Sequence, residues 1–169
     1  PLWSRGLGLD NRTSYSSPKQ VGALTNWSKV TTAGRWMVAT KTDGTLWSWG
    51  YNNSGQLGLG NRTNYSSPKQ VGALTDWLNV SAGLYFAVAT KTNGTLWAWG
   101  GNSLGQLGLG NTTYYSSPKQ VGALTTWSKI ATGQEHVLAI KTDGTLWVWG
   151  TNGSGQLGTG NTFTYSSPK

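Results

Sequence analysis

Apolar and polar positions alternate in short stretches along this chain, and the stretches come in facing pairs. MVATK (37–41) and TLWSWG (45–50) flank Asp43-Gly44, with Trp47 and Trp49 separated by smaller residues at the spacing of two that a half-buried strand requires. The same arrangement surrounds Asn93-Gly94 and Asp143-Gly144, and a turn dipeptide of this kind between apolar stretches is the strongest short-range hairpin signal. Read as a two-residue loop, Asp43-Gly44 sets Thr42 opposite Thr45, Thr40 opposite Trp47, Val38 opposite Trp49 and Trp36 opposite Tyr51. Further strands are expected around Trp27 to Thr31 and Lys69 to Val71, and YNNSGQLGLGN (51–61) reads as the long connection.

The pattern is periodic. YSSPKQVGALT occurs at 15–25, 65–75 and 115–125, and YSSPK returns at 165–169, so the period is 50 residues with no net insertion. Residues 1–169 form one repeat domain, with units 1–50, 51–100 and 101–150 and a partial unit 151–169 in phase with 1–19. Four short strands per unit is the size of one propeller blade. The copying fails mainly in two places. GRWM (34–37) becomes LYFA (84–87) and QEHV (134–137), and Tyr51 becomes Gly101 and Thr151. Smaller variations occur at Asn26, Asp76 and Thr126 and at Ser14, Asn64, Tyr114 and Thr164.

Composition supports an all-β chain. Of 169 residues, 25 are Gly and 11 Trp, only 11% are charged and none is Cys, which disfavours a helical bundle, a coiled coil, disorder or a disulfide scaffold. No apolar run reaches the roughly 18 residues of a membrane-spanning helix.

The run from Asp43 through TLWSWGYNNSGQLGLGN to SSPKQV resembles the repeat of the regulator of chromosome condensation family, and all three copies carry it. The resemblance implies a β-propeller of four-stranded blades, usually seven in a closed ring. This chain would supply about three blades and part of a fourth, leaving strand edges through which copies could associate. Family members usually carry Gly-x-x-His before the second strand. Gly133 and His136 match that pattern, while Trp36 and Phe86 replace the His in the other copies.

Because every blade presents its divergent window on the same side of the ring, the expected binding face comprises Arg35, Trp36, Tyr51, Leu84, Tyr85, Phe86, Gln134, Glu135, His136 and Thr151. The competing interpretation is that strand ends tolerate change and the aromatic members pack between blades. A protein partner is expected. Net charge is +8, but Lys19, Lys69, Lys119, Lys169, Lys41, Lys91 and Lys141 are repeat positions, which disfavours a dedicated nucleic-acid stripe without excluding weak binding. Catalysis has little material. His136 is the single His, its neighbour Glu135 would point to the other face of a strand, and no metal-ligand spacing or cofactor motif occurs. The expectation is therefore a non-enzymatic binding module without a cofactor, with an extracellular or cell-surface setting favoured. The alternatives are an architectural subunit of a surface or virion assembly and a guanine nucleotide exchange or chromatin-associated role implied by the resemblance.

Overall fold

The computed structural model describes residues 7–11 and 13–169, so the divergent opening PLWSRG lies outside the described residues. Eleven strands are formed among them, arranged as antiparallel sheets in chain order. The first sheet contains β1 (Trp27–Ala33), β2 (Trp36–Lys41), β3 (Leu46–Gly50) and β4 (Tyr65–Gln70). The second repeats it with β5 (Trp77–Ala82), β6 (Phe86–Lys91), β7 (Leu96–Gly100) and β8 (Tyr115–Gln120). The third has β9 (Trp127–Thr132), β10 (His136–Lys141) and β11 (Leu146–Gly150), and residues 165–169 run beside β11. They do so through a Gly150–Tyr165 bridge and a reciprocal pair of bonds between Val148 and Lys169 at 2.9 and 3.0 Å.

Each sheet therefore begins at Trp27, Trp77 or Trp127 and crosses a boundary of the units counted from residue 1. Residues 165–169 thus form the outermost segment of the third sheet, and the described residues before Trp27 precede the first sheet without forming a strand. Successive blades approach most closely at β1, β5 and β9, while β4 and β8 form outer edges.

Burial follows from stacking. Even-numbered side chains of β2, such as Trp36 and Val38, enter one core together with Ala87 and Ala89 of β6. Phe86 and Val88, from the opposite face of β6, enter a second core with Val137 and Ala139 of β10. All six residues of β6 are buried because both its faces are covered. In β10 burial alternates residue by residue, and Leu146 on β11 is 57% exposed where its counterparts Leu46 and Leu96 are fully buried. A two-sided sheet loses the period-two signal that a one-sided sheet keeps.

The repeated tryptophans knit each blade. Trp77 meets Trp97 at 6.0 Å and Trp99 at 6.1 Å between ring centroids in edge-to-face geometry, and Trp27 and Trp127 hold the same pairs in their own blades. Indole nitrogens also tie blades together, since Trp99 donates to the Gln56 carbonyl of the preceding blade at 2.9 Å and Trp149 donates to Gln106 at 3.0 Å.

Candidate protein-recognition face

The geometry of the variable positions starts at the opposite end of each hairpin. The loop contains three residues, not two: Lys41 N donates to Thr45 O at 3.0 Å, and Gly44 N donates back to Lys41 O at 3.0 Å. A two-residue type I′ loop needs positive φ at both central positions, but only Gly44, at 77°, has it. Asp43 keeps an ordinary backbone and instead accepts from Thr45 N at 3.0 Å and Thr45 Oγ1 at 2.6 Å. The Thr45 hydroxyl, followed by the Thr45 amide, holds the Asp43 carboxyl below its ordinary value, and Asp143 is held down by the same pair at Thr145.

The extra loop residue shifts the register by one. Ala39 faces Trp47, Met37 faces Trp49 and Trp36 faces Gly50, so the expected Trp36–Tyr51 and Val38–Trp49 pairs do not form. The divergent positions nevertheless meet through the backbone. Tyr51 N donates to Arg35 O at 3.0 Å, Gly101 N to Tyr85 O at 2.8 Å, and Thr151 N to Glu135 O at 3.0 Å. In each blade the variable window and the variable residue at 51, 101 or 151 thus share one hairpin end.

Not all ten candidates are surface residues. Trp36 and Phe86 are 1% and 0% exposed, packed into the two interblade cores. Their place in the expected binding face is corrected: each ring points toward the next blade because its Cβ shares the parity of the buried Val38 and Val88. Phe86 lies against Gly83, where an added Cβ would overlap the ring, and His136 lies against Gly133 in the same way. Blade one has Ala33 at this position, and its Trp36 instead reaches across the junction to donate from Nε1 to Leu84 O at 3.1 Å. At the next junction Leu84 N donates to Gln134 O at 2.9 Å. The windows therefore differ partly because each closes its junction in its own way.

Arg35, Tyr85 and Gln134 are exposed, and Tyr51, Leu84, Glu135, His136 and Thr151 are half-buried. Between blades one and two, Arg35, Tyr51, Leu84 and Tyr85 line a cleft of about 330 Å³ together with Ala33, Gly34 and Trp36. Gly34 makes the tight bend, with φ 67° and Arg35 N donating to Ala33 O at 2.8 Å.

Two sets of residues carry roles that the sequence did not disclose. Asn52, Asn102 and Asn152 are fully buried inside the glycine-rich connections. In the first, Asn52 Oδ1 accepts from Leu57 N at 2.9 Å while its Nδ2 donates to Asn61 O at 3.1 Å and Thr63 O at 2.9 Å. Their fixed phase of 50 residues was the available signal, masked by the Asn-rich surroundings. Lys41, Lys91 and Lys141, which the sequence marks only as repeat positions, are buried between tryptophans. Lys41 Nζ lies 3.7 Å from the Trp47 ring centroid and 4.9 Å from that of Trp27. Lys91 adds an ion pair with Asp76 at 3.3 Å.

Family comparison agrees with this architecture. The model described as "Regulator of chromosome condensation (RCC1) repeat" matches residues 43–90 and 93–140, more than half of the chain. The chain belongs to the RCC1 repeat family. A second RCC1 repeat model matches 77–106 and 127–156. Among solved structures, Prp20p from Saccharomyces cerevisiae superposes with a TM-score of 0.79 at 20% identity over 90% of this chain and 39% of its own. Human WBSCR16 superposes at 0.74 with 22% identity over 85% of this chain and 37% of its own. The RCC1 repeats here thus span less than two-fifths of the length of either structure. The likeness establishes a β-propeller fold. An ectodomain of the Physcomitrella patens receptor kinase CR4 also matches, at 18% identity and a TM-score of 0.53, so the fold assigns no compartment. No curated protein matches the chain. Among the described residues, no helix is long and apolar enough to cross a membrane, and no group of three or more His, Asp or Glu could hold a metal ion.

Proposed function

We propose that these RCC1 blades form a non-enzymatic module that binds a protein partner through the face carrying Arg35, Tyr51, Leu84, Tyr85, Gln134, Glu135, His136 and Thr151. The observation that carries this reading is the gathering of the chain's most divergent positions at one hairpin end of each blade, linked by the Tyr51–Arg35, Gly101–Tyr85 and Thr151–Glu135 backbone bonds. An exposed Arg beside two tyrosines is also the side-chain chemistry that dominates binding energy at protein interfaces. Protein binding is in keeping with similar propellers: the Prp20p structure is described with its binding to Gsp1p and histones, and another with Kap60 bound. Burial of Lys41, Lys91 and Lys141 withdraws three basic side chains from any nucleic-acid surface and further favours a protein.

The test is site-specific crosslinking in extracts of the source organism. A benzophenone amino acid is placed at Tyr85 and, separately, at Asn93 in the far hairpin turn. A discrete adduct formed from position 85, absent from position 93 and abolished by Arg35→Glu in a chain that still folds, is the expected result. Equal adducts from both positions, or indifference to Arg35→Glu, would remove the face from consideration.

A further inference from the structure

We infer that Asn93-Gly94, in the turn between β6 and β7, is a self-modification site, where the chain converts its own side-chain amide to a carboxylate through a cyclic imide. The chemistry needs an Asn followed by a residue without a Cβ, because the main-chain nitrogen of that residue has to reach the carbonyl carbon of the Asn side chain. The chain holds two such dipeptides, Asn93-Gly94 and Asn152-Gly153, in opposite surroundings.

Asn93 is exposed, and two donors converge on its side-chain oxygen. Thr95 N donates to Oδ1 at 3.1 Å and Thr95 Oγ1 at 2.7 Å. Thr95 Oγ1 in turn accepts from Trp97 Nε1 at 2.9 Å, and Thr95 is only 6% exposed, so its hydroxyl is a desolvated donor strengthened by the bond behind it. Donors aimed at a carbonyl oxygen stabilise the negative charge that develops there when a nucleophile adds to the carbon. That nucleophile is Gly94 N, one residue along. It donates to Lys91 O at 2.9 Å in the closed turn, so attack follows the opening of this one bond in an exposed loop. The Gly94 carbonyl is anchored separately, accepting from Trp127 N at 3.1 Å, so the turn can open at its amide without leaving the blade.

Water is the one co-reactant. Gly94 N forms a bond to Asn93 Cγ and gives up its proton, the Cγ–Nδ2 bond breaks, and Nδ2 leaves as ammonia carrying that proton. Water then opens the imide at either carbonyl, giving aspartate or isoaspartate. The fold already accommodates the aspartate product. Asp43 and Asp143 stand at the same turn position in blades one and three, and each accepts from the hydroxyl of the following threonine at 2.6 Å and from its amide at 3.0 and 2.9 Å. Conversion brings the amide turn of blade two into line with its neighbours and lowers the net charge by one unit from +8.

Asn152 is closed to the same reaction. It is fully buried, its Oδ1 accepts from Leu157 N at 2.9 Å, and its Nδ2, which would have to leave, donates to Asn161 O at 2.9 Å. Burial also keeps from it the water that would open an imide.

The experiment incubates the intact folded chain in mildly alkaline buffer and follows both sites by peptide mapping with fragmentation that separates aspartate from isoaspartate. Asn93 should convert at least about tenfold faster than Asn152, with the cyclic imide, lighter than the parent by one ammonia, trapped at 93 by an acid quench. In the urea-unfolded chain the two rates should draw together. Thr95→Val keeps the shape of the side chain but removes its hydroxyl, and should slow conversion at 93 by about fivefold or more, while Thr95→Ser should restore it. Tryptophan fluorescence verifies that each variant is folded before rates are compared. Should Thr95→Val fail to fold, Trp97→Phe removes the N–H behind the hydroxyl instead and should slow conversion by about twofold. Equal rates at 93 and 152 in the folded chain, conversion at 93 without an imide, or a rate in the folded Thr95→Val or Trp97→Phe chain at or above that of the parent would each overturn the inference.

Discussion

Replacing Asn102 by Ala tests how a glycine-rich connection that looks like solvated loop becomes structural. Asn102 is fully buried, and its Oδ1 accepts from Leu107 N at 2.9 Å. Its Nδ2 donates to Asn111 O at 2.9 Å and Thr113 O at 3.0 Å. Alanine leaves one amide and two carbonyls without these partners, each costing about 1–3 kcal/mol if it stays dry, while the asparagine's own desolvation cost is recovered. The carbonyls have second lone pairs and room to turn toward water, so a net loss of about 3 kcal/mol is expected. With a urea dependence of about 2 kcal/mol per molar, the unfolding midpoint followed by tryptophan fluorescence should fall by about 1.5 M at unchanged slope. Asn102→Asp should do worse, since it keeps the acceptor for Leu107 but sets carboxylate oxygen against two carbonyls. A midpoint shift below about 0.5 M for Asn102→Ala would show that the connection is held by something other than this side chain.

Stacking between blades can be isolated with two equivalent glycines. A Cβ on Gly58 would come within 2.8 Å of Trp99 Nε1, whereas one on Gly158 meets nothing within 4 Å, and their φ values are 73° and 67°. Both Ala variants should suffer backbone strain, but Gly58→Ala should lose about 1 kcal/mol or more beyond Gly158→Ala in thermal or urea unfolding. Lys41→Met removes the ammonium from between Trp27 and Trp47 and should cost about 1–2 kcal/mol, with little dependence on salt because the site is buried. The depressed Asp43 and Asp143 carboxyls contribute stability that is present above their ordinary value of 3.8 and is lost as pH falls through their lower folded values. Acid titration of Asp43→Asn/Asp143→Asn should therefore show a shallower fall below that pH, and the native Asn93, which accepts from Thr95 Oγ1 at 2.7 Å, shows that an amide fits the turn.

Much of the blade was legible because hairpins announce themselves locally. Alternation around Trp47 and Trp49, with Asp43-Gly44 between apolar stretches, identified β2 and β3 correctly. The register did not follow, since Asp-Gly serves both a two-residue and a three-residue loop and the deciding feature is the φ of Asp43. A perfect repeat also conceals its own starting point: the pairing of β4 with β3, of β8 with β7 and of 165–169 with β11 shows that a blade begins at Trp27, Trp77 or Trp127. The divergent windows were recognised as a cluster, but Trp36 and Phe86 read the same whether they point outward or into a neighbouring sheet. Parity with Val38 and Val88 decides it, and that parity has meaning only once both faces of β6 are known to be covered. Lys41 was opaque for a related reason, because a lysine at a strand end resembles an edge charge until two indoles are found around its ammonium.

The face itself is tested most directly by hydrogen–deuterium exchange of the intact chain with and without the protein captured by the position-85 crosslink, resolved to single hairpin ends. Slowed exchange confined to residues 34–36, 51 and 84–86, with the turns at 43–44 and 93–94 unchanged, is the predicted result. Protection at those turns or along β4 and β8, with none at 34–36 or 84–86, would contradict it.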